Sequence, residues 1–128
     1  MSFFNNLFGS DTNELNSIWK VINSGEALAA AKAMSKEKSV VIFKHSTRCI
    51  ISKTVLRNFE NEMESTANLP FETYFLDLLN HRDISNQIAE DFGVTHQSPQ
   101  ALLIKDEKAV YDMSHDGISL ETILKYIG

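Results

Sequence analysis

The stretch Phe43-Lys44-His45-Ser46-Thr47-Arg48-Cys49-Ile50-Ile51-Ser52 (FKHSTRCIIS) decides how this chain is read. Two patterns meet in it. Upstream, Ser39-Val40-Val41-Ile42-Phe43 is an unbroken β-branched and aromatic run. A run without polar alternation predicts a strand covered on both faces, as in a sheet between helices. Downstream, Ile51, Val55, Leu56, Phe59 and Met63 recur at helical spacing. A buried strand therefore feeds a helix, and the only cysteine of the chain, Cys49, stands at the junction.

That position has chemical consequences. A helix N-terminus carries unpaired N–H groups and partial positive charge, and both favour thiolate over thiol. Cysteines in such places have pKa values lowered from ~8.5 to roughly 3.5–7.5. Arg48 is adjacent, and Lys44 and Lys53 are near in sequence, a local excess of positive charge in an acidic chain. Ser52 lies three residues after Cys49, on the same helical face, from which its hydroxyl can donate to the sulfur. A second cysteine at that position would make a CxxC pair. With serine there, a second thiol has to come from another molecule. The competing reading is a small buried cysteine with no chemistry.

Working outward, the 128 residues fit one domain, large enough to bury a core without disulfides or metal. Lys and Arg number 12 against 17 Asp and Glu, a formal charge of −5. An acidic chain without basic blocks argues against nucleic acid as the main partner. One cysteine closes no intramolecular disulfide and builds no cysteine-rich zinc site, and the count fits a reducing, cytoplasmic setting. No His/Cys/Asp/Glu set has metal-ligand spacing, and no GxGxxG or P-loop is present, so no metal is expected. No run approaches the ~20 apolar residues of a membrane span. The start, MSFFNNLFGS, lacks the basic region and long apolar core of a signal peptide. Residues 1–18 read as an N-terminal appendage and 19–128 as the domain. Phe3, Phe4, Leu7 and Phe8 offer an apolar face to that domain or to a second subunit rather than to a membrane.

The remaining elements follow from pattern. Trp19–Ile22 suits an edge strand, with a helix from Leu15 as the alternative. Ser24 offers an N-cap to the Ala-rich GEALAAAKAMS, and Lys36-Glu37-Lys38 reads as a turn. Phe71–Leu78 is a further strand. Ile84, Ile88 and Phe92 mark a helix closed by Gly93. Ala101–Ile104 and Ala109–Tyr111 flank a turn at residues 105–108 as a hairpin. Ser119 caps a last helix expected to turn Leu120, Ile123, Leu124 and Ile127 inward. The order is β-α-β-α-β-α-β-β-α, an α/β fold with a mixed central sheet. Strands joined through helices are expected parallel, and the last two antiparallel.

Other polar residues take plainer readings. His45 and His96 are expected to be structural or to edge the site, and His81 and His115 to lie in loops. Met63 and Met113 fit core filling. Glu60, Glu62 and Glu64 read as a solvated helix face.

Taken in order, the strand, the CxxS at a helix start, the βαβ unit and Pro99 opening a hairpin resemble the thioredoxin fold. More closely, FKHSTRCIIS with QIAEDFGVTHQSPQALLI and the later SHDGIS resembles the monothiol bacilliredoxin family over about residues 19–128. The resemblance implies a thiol–disulfide oxidoreductase. Cys49 would be its nucleophile, attacking protein mixed disulfides with bacillithiol, a cysteinyl-glucosaminyl-malate thiol. Pro99 would be a cis-proline near the sulfur, the backbone of Ser98 would pair with an extended substrate, and Ser52 would match the serine of the family's Cys-Pro-x-Ser motif. Ile50 departs from that motif, restoring an N–H and adding a branched group at the entrance. Expected partners are S-thiolated client proteins and a low-molecular-weight thiol co-substrate, with no bound cofactor and a monomer or weak dimer. Arg48, Lys44 and Lys53 are the candidate partners for an anionic thiol. The rival functions are a glutaredoxin-like iron–sulfur module ligated by Cys49, although that family's Cys-Gly-Phe-Ser differs from CIIS, and a non-catalytic interaction domain.

Overall fold

The computed structural model describes residues 18–127; residues 1–17, and with them the Phe3, Phe4, Leu7 and Phe8 face, lie outside the described residues. Five strands and four helices follow the expected order: β1 (Lys20–Val21), α1 (Gly25–Met34), β2 (Ser39–His45), α2 (Ile50–Glu64), β3 (Phe71–Asp77), α3 (Arg82–Phe92), β4 (Gln100–Lys105), β5 (Lys108–Ser114) and α4 (Leu120–Ile127), with a short 3-10 turn at His115–Gly117 before α4.

Local chemistry sets the boundaries. Ser24 Oγ accepts the Ala27 N–H and caps α1, satisfying one of the orphan donors at that end. Gly93 ends α3 at φ 65°, a left-handed position where a side chain would be strained. The hairpin turn is tighter than the sequence suggests. Only Asp106 and Glu107 lie between the strands, both at positive φ (53° and 65°), as a two-residue turn matched to strand twist requires. The tip is tied to the end of α1, where Ser35 accepts from the Asp106 and Glu107 N–H groups at 2.8 and 2.9 Å.

The strand order is β1-β3-β2-β4-β5. β1 and β2 run parallel to β3, whereas β4 is antiparallel to both β2 and β5. The β4 direction corrects the expectation that every helix-joined strand is parallel. A crossover gives a parallel strand only if the chain re-enters at the starting end of its neighbour. Here residues 93–99 carry the chain back past α3, and β4 begins where β2 ends, with Gln100 opposite Lys44.

Alternation along β2 divides the core. Val41 and Phe43 join Trp19, Val55, Phe59, Met63, Phe71, Phe75 and Ile123 on the α2/α4 face; Val40 and Ile42 join Ile22, Leu28, Leu76, Ile84, Ile88 and Leu102 on the α1/α3 face. Met63 and Met113 fill the first cluster, as expected. Other side chains differ from the sequence reading. Ile51 is 55% exposed and Leu124 37%, because each sits at the margin of its helix's apolar stripe. Glu60 is partly withdrawn from the expected solvated face: it is half-buried and its Oε2 accepts the buried Trp19 Nε1–H at 2.6 Å, whereas Glu62 and Glu64 stay exposed, with Glu62 Oε1 also accepting the Leu120 N–H at the start of α4. Burial pushes the Glu60 carboxyl above its ordinary range, and the indole N–H opposes that shift.

Candidate functional site

The site is built where β2 ends. The strand continues past Phe43 through Lys44 and His45, both buried despite their polarity. The chain turns at Ser46–Arg48, with the Cys49 N–H donating to the Ser46 carbonyl at 3.2 Å, and α2 begins. Cys49 is the N-cap, in extended conformation and half-buried. Arg48 and Lys53 are exposed, and Ile50 is 78% exposed.

Two further segments reach this end of the sheet. The Ser98–Pro99 peptide bond is cis, Pro99 is buried and Ser98 half-buried, and the Ser98 hydroxyl is buried without a hydrogen-bond partner. The register places this loop beside the exit of β2. The His115 N–H donates to the Pro99 carbonyl at 3.0 Å, which brings the 3-10 turn alongside. Between α2 and that turn lies a cavity of about 280 Å³ lined by Ile50, Ile51, Thr54, Val55, Asn58, Asp116 and Ile118. Val55, Asp116 and Ile118 were not singled out from sequence as site residues. Only tertiary packing brings α2 against residues 115–118.

Ser52 differs from its sequence reading. It is fully buried, and its Oγ lies 2.8 Å from His45 Nδ1 and accepts the Ser46 N–H at 3.1 Å. The hydroxyl therefore ties α2 to the end of β2 rather than bonding to Cys49. His45 is 6% exposed and packs against the Phe75 ring at 5.5 Å. Burial lowers its basicity; Asp77, its register partner on β3, works the other way, and Lys53 adds to the lowering. Asp77 Oδ2 accepts from Asn80 Nδ2 at 2.8 Å, while Oδ1 is buried without a partner.

Lys44, the residue before His45, points to the opposite face. Its ammonium is fully buried, donates to the Ser85 carbonyl at 3.0 Å and lies 3.4 Å from His96 Nδ1. It is thus withdrawn from the charge group expected around Cys49, because adjacent strand residues face opposite sides of a sheet. Desolvation lowers its pKa to about 8. Burial, then Lys44 and Arg82, lower that of His96. His96 therefore supports the loop leading to Pro99, together with Gln100, whose Nε2 donates to the Thr95 carbonyl at 2.9 Å. His81 precedes α3 and His115 opens the 3-10 turn, as the loop reading expected. Among the described residues, no group of three or more His, Cys, Asp or Glu could hold a metal ion, and no helix is long and apolar enough to cross a membrane.

The arrangement holds a half-buried thiol at a helix start, beside a cis-proline loop and an apolar cavity. Similar folds occur in a candidate oxidoreductase with a thioredoxin fold (TM-score 0.72, 24% identity, covering 85% of this chain and 93% of that one) and in the thioredoxin Mala s 13 of Malassezia sympodialis (0.68, 21%, 86% and 91%). Fasciola hepatica thioredoxin is also similar (0.63, 20%, 84% and 98%). These likenesses establish the thioredoxin fold. Residues 20–123 match the family model described as Monothiol bacilliredoxin BrxC. Because that match spans most of the chain, the protein belongs to the monothiol bacilliredoxin family, and its role is in thiol redox chemistry.

Proposed function

We propose that the protein is a thiol–disulfide exchanger that removes bacillithiol from S-bacillithiolated proteins in a reducing, cytoplasmic setting, with Cys49 as nucleophile. The observation that carries this reading is the placement of the only cysteine at the N-cap of α2, at the sheet end where the cis Ser98–Pro99 bond opens β4. The Cys49 thiolate attacks the bacillithiol sulfur of the mixed disulfide. A new Cys49–bacillithiol disulfide forms, the old bond breaks, and the client leaves as a thiolate that takes a proton from solvent. A second thiol then attacks the bacillithiol sulfur of that adduct and frees Cys49. No other cysteine is present to do this, so a low-molecular-weight thiol or a separate reductant is the co-substrate, and no bound cofactor takes part.

The surroundings support the recognition such a step needs. Arg48 and Lys53 are exposed on the Cys49 side and suit the carboxylates of the malate-bearing thiol; Lys44 has no such role, being buried towards α3. The backbone at Ser98 is the candidate edge for an extended client segment. Ile50 forms an apolar lip beside the sulfur, where the family motif has proline. Ser52 holds the first turn of α2 against β2.

Intact-mass spectrometry after mixing with an S-bacillithiolated client tests the reading. A single bacillithiol adduct on Cys49, a reduced client, no adduct in Cys49→Ser, and several-fold slower transfer in Arg48→Ala at low salt are expected. A client that stays modified, with Cys49 free, would sink it.

A further inference from the structure

The cavity between α2 and the 3-10 turn takes no part in the exchange step, yet both of its walls start at the candidate site. On one side stands Ile50, the residue after Cys49 in the chain. On the other stands Asp116, whose neighbour His115 donates its N–H to the carbonyl of Pro99, just past the cis bond. The opening is thus one residue from Cys49 along α2 and one residue from the turn that is held against the cis-proline loop.

The lining decides what fits. Val55 and Ile118, each 8% exposed, form an apolar floor. Ile50 and Ile51 stand open to solvent beside it, and among the described residues they are the only two consecutive large apolar residues left exposed. An apolar patch joined to a pocket marks a place where another molecule is covered. An apolar cavity of roughly 150 Å³ holds a benzene ring, so the volume of about 280 Å³ admits one aliphatic or aromatic side chain. The only charged group in the lining is the Asp116 carboxylate, and the exposed cations Arg48 and Lys53 lie outside it. An anionic, hydroxyl-rich thiol would lose hydration against these walls and be repelled by Asp116, whereas an apolar side chain, alone or beside a basic residue, suits both. A client segment pairing with the backbone at Ser98 would project alternate side chains, and pockets for such side chains supply specificity.

We propose that this cavity is a client-recognition pocket: it takes one apolar side chain of the S-thiolated protein, close in sequence to the modified cysteine, while the small thiol lies towards Arg48 and Lys53. This rests on Cys49 being the exchanging thiol, but not on which small thiol the client carries.

The experiment uses synthetic peptides with one cysteine held as a mixed disulfide with thionitrobenzoate, and needs no bacillithiol. Cys49 attacks the peptide sulfur, the Cys49–peptide disulfide forms, the old S–S bond breaks, and thionitrobenzoate leaves as a coloured thiolate while the Cys49 proton goes to solvent. Peptides that differ only in leucine or alanine, stepped along each side of the cysteine, are compared by second-order rate. At one position leucine is expected to react about tenfold faster than alanine, and glutamate there more slowly than alanine. Thr54→Trp, at an exposed site on α2, fills the cavity and is expected to bring the leucine-to-alanine ratio close to one; Asn58→Trp, also exposed, serves if that variant fails to fold. S-methyl bacillithiol, added as an unreactive competitor, is expected to leave the wild-type ratio unchanged.

A wild-type ratio near one at every position would overturn the proposal, whether the cavity is closed by residues 1–17, by a second copy or by nothing. So would a ratio that survives in both tryptophan variants, or a leucine advantage abolished by S-methyl bacillithiol, which would give the cavity to the small thiol. A leucine advantage in a protein that never removes bacillithiol from a client would remove the assigned thiol and leave the pocket standing.

Discussion

The two faces of the sheet solve the same burial problem with different chemistry. The α2/α4 face is aromatic: Phe43 lies 5.7 Å from Trp19 and 6.0 Å from Phe59, and Trp19 is 5.7 Å from Phe75. The α1/α3 face is mostly aliphatic, with Val40, Ile42, Leu76, Ile84, Ile88, Leu102 and Ile104. At the end of β2 each face finishes in a buried titratable side chain. His45 ends the aromatic face and holds the helix that begins at Cys49; Lys44 ends the aliphatic face and lies under the loop that leads to Pro99. Both walls of the candidate site thus hang on two consecutive residues. The difference lies in how each charge is handled. The imidazole has a hydroxyl partner and a carboxylate on the neighbouring strand, whereas the ammonium meets a backbone carbonyl and an imidazole nitrogen.

The largest effect expected of this contrast is in the core. Phe43→Ala should cost about 3–5 kcal/mol in urea unfolding. It should exceed Ile42→Ala by about 0.5–1.5 kcal/mol, the usual contribution of aromatic pairs beyond area. Equal losses would show that the ring geometry of the aromatic face adds nothing to burial.

The next concerns Lys44. Its folded pKa of about 8 lies below the ordinary 10.5, so between those values the unfolded chain binds more protons than the folded one. Stability should rise as pH increases from about 8 to 10.5, and the charged-state penalty, on the order of 3 kcal/mol, should be fully present below about 8. Lys44→Met should flatten that rise relative to wild type in melting curves at pH 7.5, 9 and 10. Parallel curves would mean that the ammonium is better solvated than its burial implies.

The smallest effect is at the margin of the aromatic face. Ile51→Ala should change stability by less than about 0.5 kcal/mol, since the side chain is half exposed. A loss above 1 kcal/mol by urea titration would place Ile51 within the core and would redraw the boundary of the cavity beside Cys49.

Much of this architecture was legible in the sequence for local reasons. The apolar run ending at Phe43, the helical spacing from Val55 to Met63, the Ser24 cap and Gly93 each depend on neighbours within a turn or a strand. The site was legible in part. Cys49 at a strand-to-helix junction follows from the same local patterns, and Pro99 entered through the ordered likeness to a known family. The reading went astray where a side chain's surroundings come from distant segments. Glu60 looks solvent-facing until Trp19, 41 residues away, supplies a donor. Lys44 looks like a neighbour of Cys49 in sequence, yet strand alternation sends it to Ser85 and His96.

The sequence by itself therefore determined the element order, the junction that bears the thiol and the absence of a second cysteine, because periodicity, capping and residue count are properties of the chain alone. Tertiary structure decided the antiparallel course of β4, the cis Ser98–Pro99 bond beside the exit of β2, the cavity between α2 and residues 115–118, and the engagement of Ser52 by His45. Those features depend on which strand lies next to which, and that is settled only when both faces of the sheet are covered at once.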